Sequence, residues 1–233
     1  MAYKLNLGCG RVIFPLDRDK LDEIPYYNNH LNPLSDSAFE PGWVNVDQVP
    51  NAGVNEIVDL FRFPWIRSSN GNPFNDDSID EMYCGHLLEH VPHIVQVSTP
   101  VPFNWAKRYN ELVNRYDGFF VFFHEAWRIL KPDGTIHIRS PFAFSLPAVV
   151  DPTHTRFIVP GSFSYLTGQT NSDAPFDYEM PCKFELVGEG ATLRYTQDFM
   201  PRLKDYSEDK LSHLPYQEVG VVDEVRITLR AIK

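Results

Sequence analysis

Five groups of residues in this sequence have types and spacings that could do chemistry. Gly8-Cys9-Gly10 follows the alternating run Lys4-Leu-Asn-Leu7, so a strand ends there in a hinge. Its glycines tolerate positive φ and let a ligand approach backbone N–H groups with no Cβ in the way. Asp47 closes the apolar run Trp43-Val-Asn-Val46, and a carboxylate at the end of a strand beside such a hinge can accept hydrogen bonds from both hydroxyls of a ribose. Asp59, followed by Leu60, Phe61, Phe63 and Trp65, sets an acceptor beside flat apolar walls, which suits an adenine. His86-Leu-Leu-Glu89-His90 has the form of the inverted zinc-peptidase motif. On a helix, His86 and His90 would share a face and bind zinc while Glu89 served as base. Further on, His154 stands between Asp151 and Arg156, where an imidazole could take a proton from a substrate.

Each group also has a plainer reading: a turn at the glycines, a cap at Asp47, core aromatics after Asp59, a surface histidine at position 154. Better-known phosphate loops are excluded. A dinucleotide fingerprint needs a third small residue where Ile13 stands, and no Gly-Lys-Ser/Thr follows. The zinc reading meets a geometric obstacle, because the strand-like run into Gly85 and the stop at Pro92 leave less than two helical turns. Cys9, Cys84 and Cys182 are widely spaced, which fits a reducing compartment and argues against a disulfide framework or a Cys-x-x-Cys metal site; no metal is expected. A net charge of −10 disfavours nucleic acid as the main partner. Nowhere do about 18 apolar residues run together, so a cytoplasmic chain without a membrane partner is the expectation.

The elements that must position these groups follow from periodicity. With 233 residues, 43% hydrophobic and 14% aromatic, the chain can bury one substantial core. Strands are expected over 3–7, 42–47, 55–60, 79–85 and 135–140. A helix capped by Asp117 carries the stripe Phe119, Phe122, Phe123, Ala126 and Leu130, ending in a Lys131-Pro-Asp-Gly134 turn. Residues 11–41, with prolines at 15, 25, 33 and 41, cannot form one long helix and read as an insertion, either a lid over the ligand mouth or a decorative loop. A second insertion is expected over 93–117. Near the end, 183–187 and 224–231 alternate as strands and could close the sheet edge as an antiparallel pair.

In order along the chain, Leu5-Asn-Leu-Gly-Cys-Gly10, Trp43-Val-Asn-Val-Asp47, Val58-Asp-Leu60, His86-Leu-Leu-Glu-His-Val91 and Glu125-Ala-Trp-Arg-Ile-Leu-Lys-Pro-Asp-Gly134 resemble the motifs of class I S-adenosylmethionine-dependent methyltransferases of the type 11 kind. Asp151-Pro-Thr-His-Thr-Arg156 is similar to a segment after the fifth strand in one subgroup. The resemblance spans roughly residues 3 to 165, with departures at the two insertions and at Asp133, where a glycine is usual. It implies an α/β fold over 1–233, Rossmann-like and doubly wound, with a mainly parallel seven-stranded sheet and an antiparallel edge strand. S-adenosyl-L-methionine would be the cofactor. Gly8, Cys9 and Gly10 would pass under its methionine part, Asp47 and Gln48 would hold the ribose, Asp59 and Leu60 would flank the adenine, and Gly85 and His86 would line the opposite wall. Candidate bases are His86, Glu89 and His154, and residues 141–215 would shape the site of a small-molecule or sugar-like acceptor. Two alternatives stay open: a zinc hydrolase using His86, Glu89 and His90, and a non-catalytic module that keeps the cofactor fold. Oligomeric state is left open.

Overall fold

The structure, a computed structural model, describes residues 3–10, 12, 14, 42–168, 180–188 and 190–233. Apart from Val12 and Phe14, the expected insertion over 11–41 lies outside the described residues. In chain order the elements are β1 (Lys4–Leu7), β2 (Trp43–Asp47), β3 (Glu56–Ile57), β4 (Arg62–Phe63), β5 (Ile79–Gly85), β6 (Gln96–Val97), α1 (Phe103–Arg115), α2 (Gly118–Ile129), β7 (Leu130–Pro141), α3 (Leu146–Val150), α4 (Ser164–Thr167), β8 (Phe184–Leu186), β9 (Thr192–Tyr195), α5 (Glu208–Gln217) and β10 (Val222–Ala231).

The main sheet runs β3-β2-β1-β5-β7-β10-β8. Strands β3, β2, β1, β5 and β7 pair in parallel, and β10 is antiparallel to β7, β8 and β9. Eight strands are present against the expected seven, because β9 and β8 pair with successive halves of β10 on the side away from β7. The antiparallel strand β10 is thus one position in from the edge.

All of β1 is buried, as a strand with parallel neighbours on both sides requires. Its polar residues are therefore paired: Lys4 Nζ meets Glu81 at 3.2 Å, and Asn6 Nδ2 donates to Asn45 Oδ1 and to the Val12 carbonyl. Strand order reverses between β1 and β5, which opens a crevice at their carboxyl ends.

Helix α2 forms where the stripe places it. Asp117 accepts from the Phe119 N–H at 2.8 Å as its N-cap, and Phe119, Phe122, Phe123 and Ala126 are buried against the sheet. The expected turn over 131–134 is instead a bulge within β7, between the pairs Ile79–Leu130 and Glu81–Thr135, with Asp133 at φ 63°. Leu130 therefore opens a strand and does not close the helix. Among the described residues no helix is long and apolar enough to cross a membrane.

The segment 93–117 is structural and not decorative. It supplies β6, which pairs with β4, and α1, whose fully buried Tyr109 donates its hydroxyl hydrogen to Glu125 Oε2. Arg128 grips the same carboxylate with Nε at 2.9 Å and Nη2 at 2.8 Å and donates to the Phe74 carbonyl at 2.7 Å. Glu125 Oε1 also accepts from the Trp65 N–H. Burial works against ionising Glu125, yet the Arg128 charge and these donors hold its pKa below the usual range. Truncating one partner strands a buried charge. Glu125→Ala is therefore expected to cost about 3–5 kcal/mol of unfolding free energy in urea melts; a loss below about 1 kcal/mol would show the fork to be dispensable.

Candidate functional site

The site grows from the glycine hinge. Gly8 and Gly10 have φ of 61° and 52°, the left-handed region that favours glycine. A Cβ on Gly8 would lie 2.9 Å from Leu87 Cδ1, whereas one on Gly10 would meet nothing within 4 Å and would project into open space. The Gly10 N–H donates to Asp47 Oδ2 at 2.7 Å and the Val49 N–H to Oδ1 at 2.9 Å. Asp47 is 9% exposed, more enclosed than a strand-end carboxylate read from sequence. Each of its oxygens still keeps lone-pair capacity. Burial, and after it the Asp47 charge, push the Cys9 thiol up to about 12, so Cys9 stays protonated and contributes backbone only.

Two cavities meet at this hinge, sharing Gly8 and His90 as walls. The smaller, about 470 Å³, is lined by Asp47, Gln48, Leu60, Phe61 and Leu87. Asp59 lies outside it: its carboxylate meets Arg62 at 3.2 Å and accepts from the Phe61 N–H at 3.0 Å. The larger, about 860 Å³, is lined by Cys9, Gly10, Gly85, His86, Glu89 and His154 together with Arg139 and Glu224. Both volumes fall in the range of ligand sites. Of the residues expected to bind the cofactor or to act as bases, all but Asp59 border these chambers.

His86 departs most from expectation. It takes φ 52°, and only the three-residue 3-10 turn Leu88–His90 follows. The helix that a zinc-peptidase motif needs is absent, and His86 and His90 do not share a helical face. His86 points instead between two acids, with Nε2 3.1 Å from Glu224 Oε2 and Nδ1 3.4 Å from Glu89 Oε1. Burial of the site works against charging the ring, though its side chain stays 56% exposed to solvent, which screens the contacts; the hydrogen bonds and charges of Glu224 and Glu89 raise its pKa, to about 9. At neutral pH His86 is therefore an imidazolium and not a free base. Burial opposes ionisation of Glu224, while His86, Arg139 and Arg226 bring its pKa down to about 2. Sequence reasoning missed Glu224 and Arg139. The available signal was an acid and a base at inward positions of alternating strands.

His154 sits on the loop after α3, its side chain 8% exposed. Its Nδ1 donates to the Ala148 carbonyl at 3.0 Å, its Nε2 is 3.9 Å from Asp151 Oδ2, and its ring packs edge-on to His90 with centroids 4.7 Å apart. Arg156 does not join it. That guanidinium turns to the Val91 and Pro92 carbonyls and to Asp117.

No family model matches the sequence, and no curated protein matches it. Similar solved structures include a SAM-dependent methyltransferase from Archaeoglobus fulgidus, 14% identical over 98% of this chain and 86% of that one, with a TM-score of 0.48. Another is the 1,6-didemethyltoxoflavin-N1-methyltransferase of Burkholderia thailandensis, crystallised with 1,6-didemethyltoxoflavin and S-adenosylhomocysteine, 12% identical over 100% and 72% of the two chains, with a TM-score of 0.45. A third is the YcgJ protein of Bacillus subtilis, 12% identical over 100% and 92%, with a TM-score of 0.44. Likeness at this level bears on neither substrate nor residue roles.

The His86–Glu224 contact yields a direct test. In Glu224→Gln the imidazole loses one of its two carboxylates, so its pKa should fall from about 9 toward the ordinary value of about 6.5. An NMR titration of the ring protons reads this, and an unchanged pKa would remove Glu224 as the cause.

Proposed function

We propose that this chain transfers a methyl group from S-adenosylmethionine to a small, hydroxyl- or amine-bearing acceptor such as a sugar-like metabolite. One observation carries the reading. At the point where strand order reverses, the open-sided Gly10 has its amide fixed by Asp47, and a two-chambered cleft begins there. Those residues fit the cofactor. Asp47 has acceptor capacity left for ribose hydroxyls, Leu60 and Phe61 offer apolar faces to a purine, and the glycine backbone leaves room for an extended chain.

When bound, S-adenosylmethionine supplies a methyl carbon that an acceptor lone pair attacks in line, the C–S bonding pair returning to sulfur. The chain's contribution is alignment, which can supply much of the acceleration. The larger chamber suits a polar acceptor: α3 brings Leu146, Pro147 and Val150 to it, while Arg139, Arg194 and Asp223 supply charge. Only part of the expected acceptor region borders it, since Phe199 and Leu214 pack into a separate core with Phe142, Val221 and Val222. An acceptor hydroxyl or amine must also release a proton. With His86 already protonated, the imidazoles open to that role are His90 and His154.

Two substitutions test the cofactor half. Gly10→Ala should strain the fold by only about 1–2 kcal/mol, yet weaken S-adenosylhomocysteine binding tenfold or more, because its methyl enters the cleft. Asp47→Asn should lose about 1.5–3 kcal/mol of charge-assisted hydrogen bonding, roughly 10- to 100-fold in Kd. Calorimetry measures both, and wild-type affinity in the two variants would refute the cofactor assignment. Methylated product in a metabolite panel separates an enzyme from a binding module.

A further inference from the structure

Glu89, His90 and His154 meet at one corner of the larger chamber, and a ligand atom from each lies within 4.8 Å of the other two. Hydrogen bonds decide which atoms are on offer. The Thr153 hydroxyl has a single proton, which it gives to Asp151 Oδ1 at 2.6 Å, so at 3.1 Å from His90 Nδ1 it accepts. His90 therefore carries its proton on Nδ1 and keeps the Nε2 lone pair. His154 gives its Nδ1 proton to the Ala148 carbonyl and likewise keeps Nε2. Outer bonds of this kind, to a hydroxyl and a backbone carbonyl, are those that orient metal-bound imidazoles.

Glu89 supplies an independent sign. It is 1% exposed, and its Oε2 accepts from Ser140 Oγ at 3.1 Å. Its Oε1 is buried with no hydrogen-bond partner, having only the 3.4 Å ion contact to His86 Nδ1. A buried carboxylate oxygen with one long contact to a shared imidazole keeps lone pairs unused, and a bound cation would take them up.

We propose that Glu89, His90 and His154 together bind a divalent transition-metal ion of the zinc, iron(II) or cobalt(II) kind on the wall of the acceptor chamber. Two imidazoles and one carboxylate suit such ions, whereas magnesium and calcium prefer oxygen ligands throughout. Metal bonds of about 2.1 Å place tetrahedral ligand atoms about 3.4 Å apart, so side-chain rotations that bring the two Nε2 atoms and a Glu89 oxygen to that spacing would complete the site. Three protein ligands leave positions open to the chamber, the form of a catalytic and not a structural site. The trio differs from the peptidase motif: Glu89 is a ligand, and His154 takes the place of His86. The ion's role rests on the methyl-transfer reading, and with it bound His90 and His154 act as ligands and no longer as bases. An acceptor oxygen bound to it would be held in place and would lose its proton to solvent more readily.

The test uses the full, tag-free chain, stripped with a chelator and titrated with Co²⁺ and then Zn²⁺. About one equivalent of Co²⁺ with visible ligand-field bands, displaced by Zn²⁺, is the expected result. Glu89→Gln, His90→Gln and His154→Gln should each weaken binding roughly 100-fold, and His213→Gln, on the exposed face of α5, should leave it unchanged. Circular dichroism checks each variant for folding; should one of the more buried substitutions unfold the chain, His90→Gln, at a half-buried ring, decides. No stoichiometric binding by the wild type, or binding that persists in His90→Gln, overturns the site. S-adenosylhomocysteine affinity is measured on the same samples, so a chain that binds it but takes up no metal loses this inference alone.

Discussion

The reversal of strand order at β1 is the constraint on which the rest of the site depends. A strand buried along its whole length between two parallel neighbours can leave the sheet only at its carboxyl end. At such a switch point a crevice forms outside the carboxyl ends of the strands, and here Gly8, Gly10, Gly85 and Leu87 border it. A glycine hinge makes the exit possible, and the Asp47 carboxylate, from the adjacent strand, catches the hinge amide. The cleft is therefore a result of topology, and the residues around it only decide what it can hold.

A second device holds that topology in register. The Glu125–Arg128 fork, with Tyr109 from α1 and the Trp65 amide, ties the segment before α2 to the loop after β4. Ions this deeply buried lose their hydration, and an apolar replacement of the same volume can match them in stability. What the fork adds is geometry: a two-pronged contact with several fixed partners admits one arrangement of α1, α2 and β4.

Much of the fold was legible because it rests on local periodicity. β1, β2, β5 and α2 combine burial on defined positions with clear signals, and their boundaries agree with the sequence reading to within a residue, apart from the turn expected after α2. β9 and α5 were not legible. β9 has no fully buried residue, and α5 buries only Leu214 and Pro215, so neither carries a strong alternation or stripe. The site divides along the same line. Gly8, Gly10 and Asp47 announce themselves through strand ends, whereas the partner of His86 is Glu224, 138 residues away. No spacing rule links them. The zinc motif around His86 would need a helix that the stop at Pro92 already spoke against, and the fold sets that residue in the left-handed region and turns its ring to Glu224 on β10.

The loop that carries His154 is stitched to the far side of the cleft by its backbone. Thr155 and Arg156 both donate amides to the Glu89 carbonyl, and Arg156 reaches on to Val91, Pro92 and the N-cap Asp117 of α2. Those contacts tie residues 86–92, 151–156 and the start of α2 to one another, so that none of the three can move away without breaking bonds to the others. α3, whose Leu146, Val149 and Val150 are exposed, is joined to them through the His154 bond to its Ala148 carbonyl, so this wall of the larger chamber is set by the loop that carries His154.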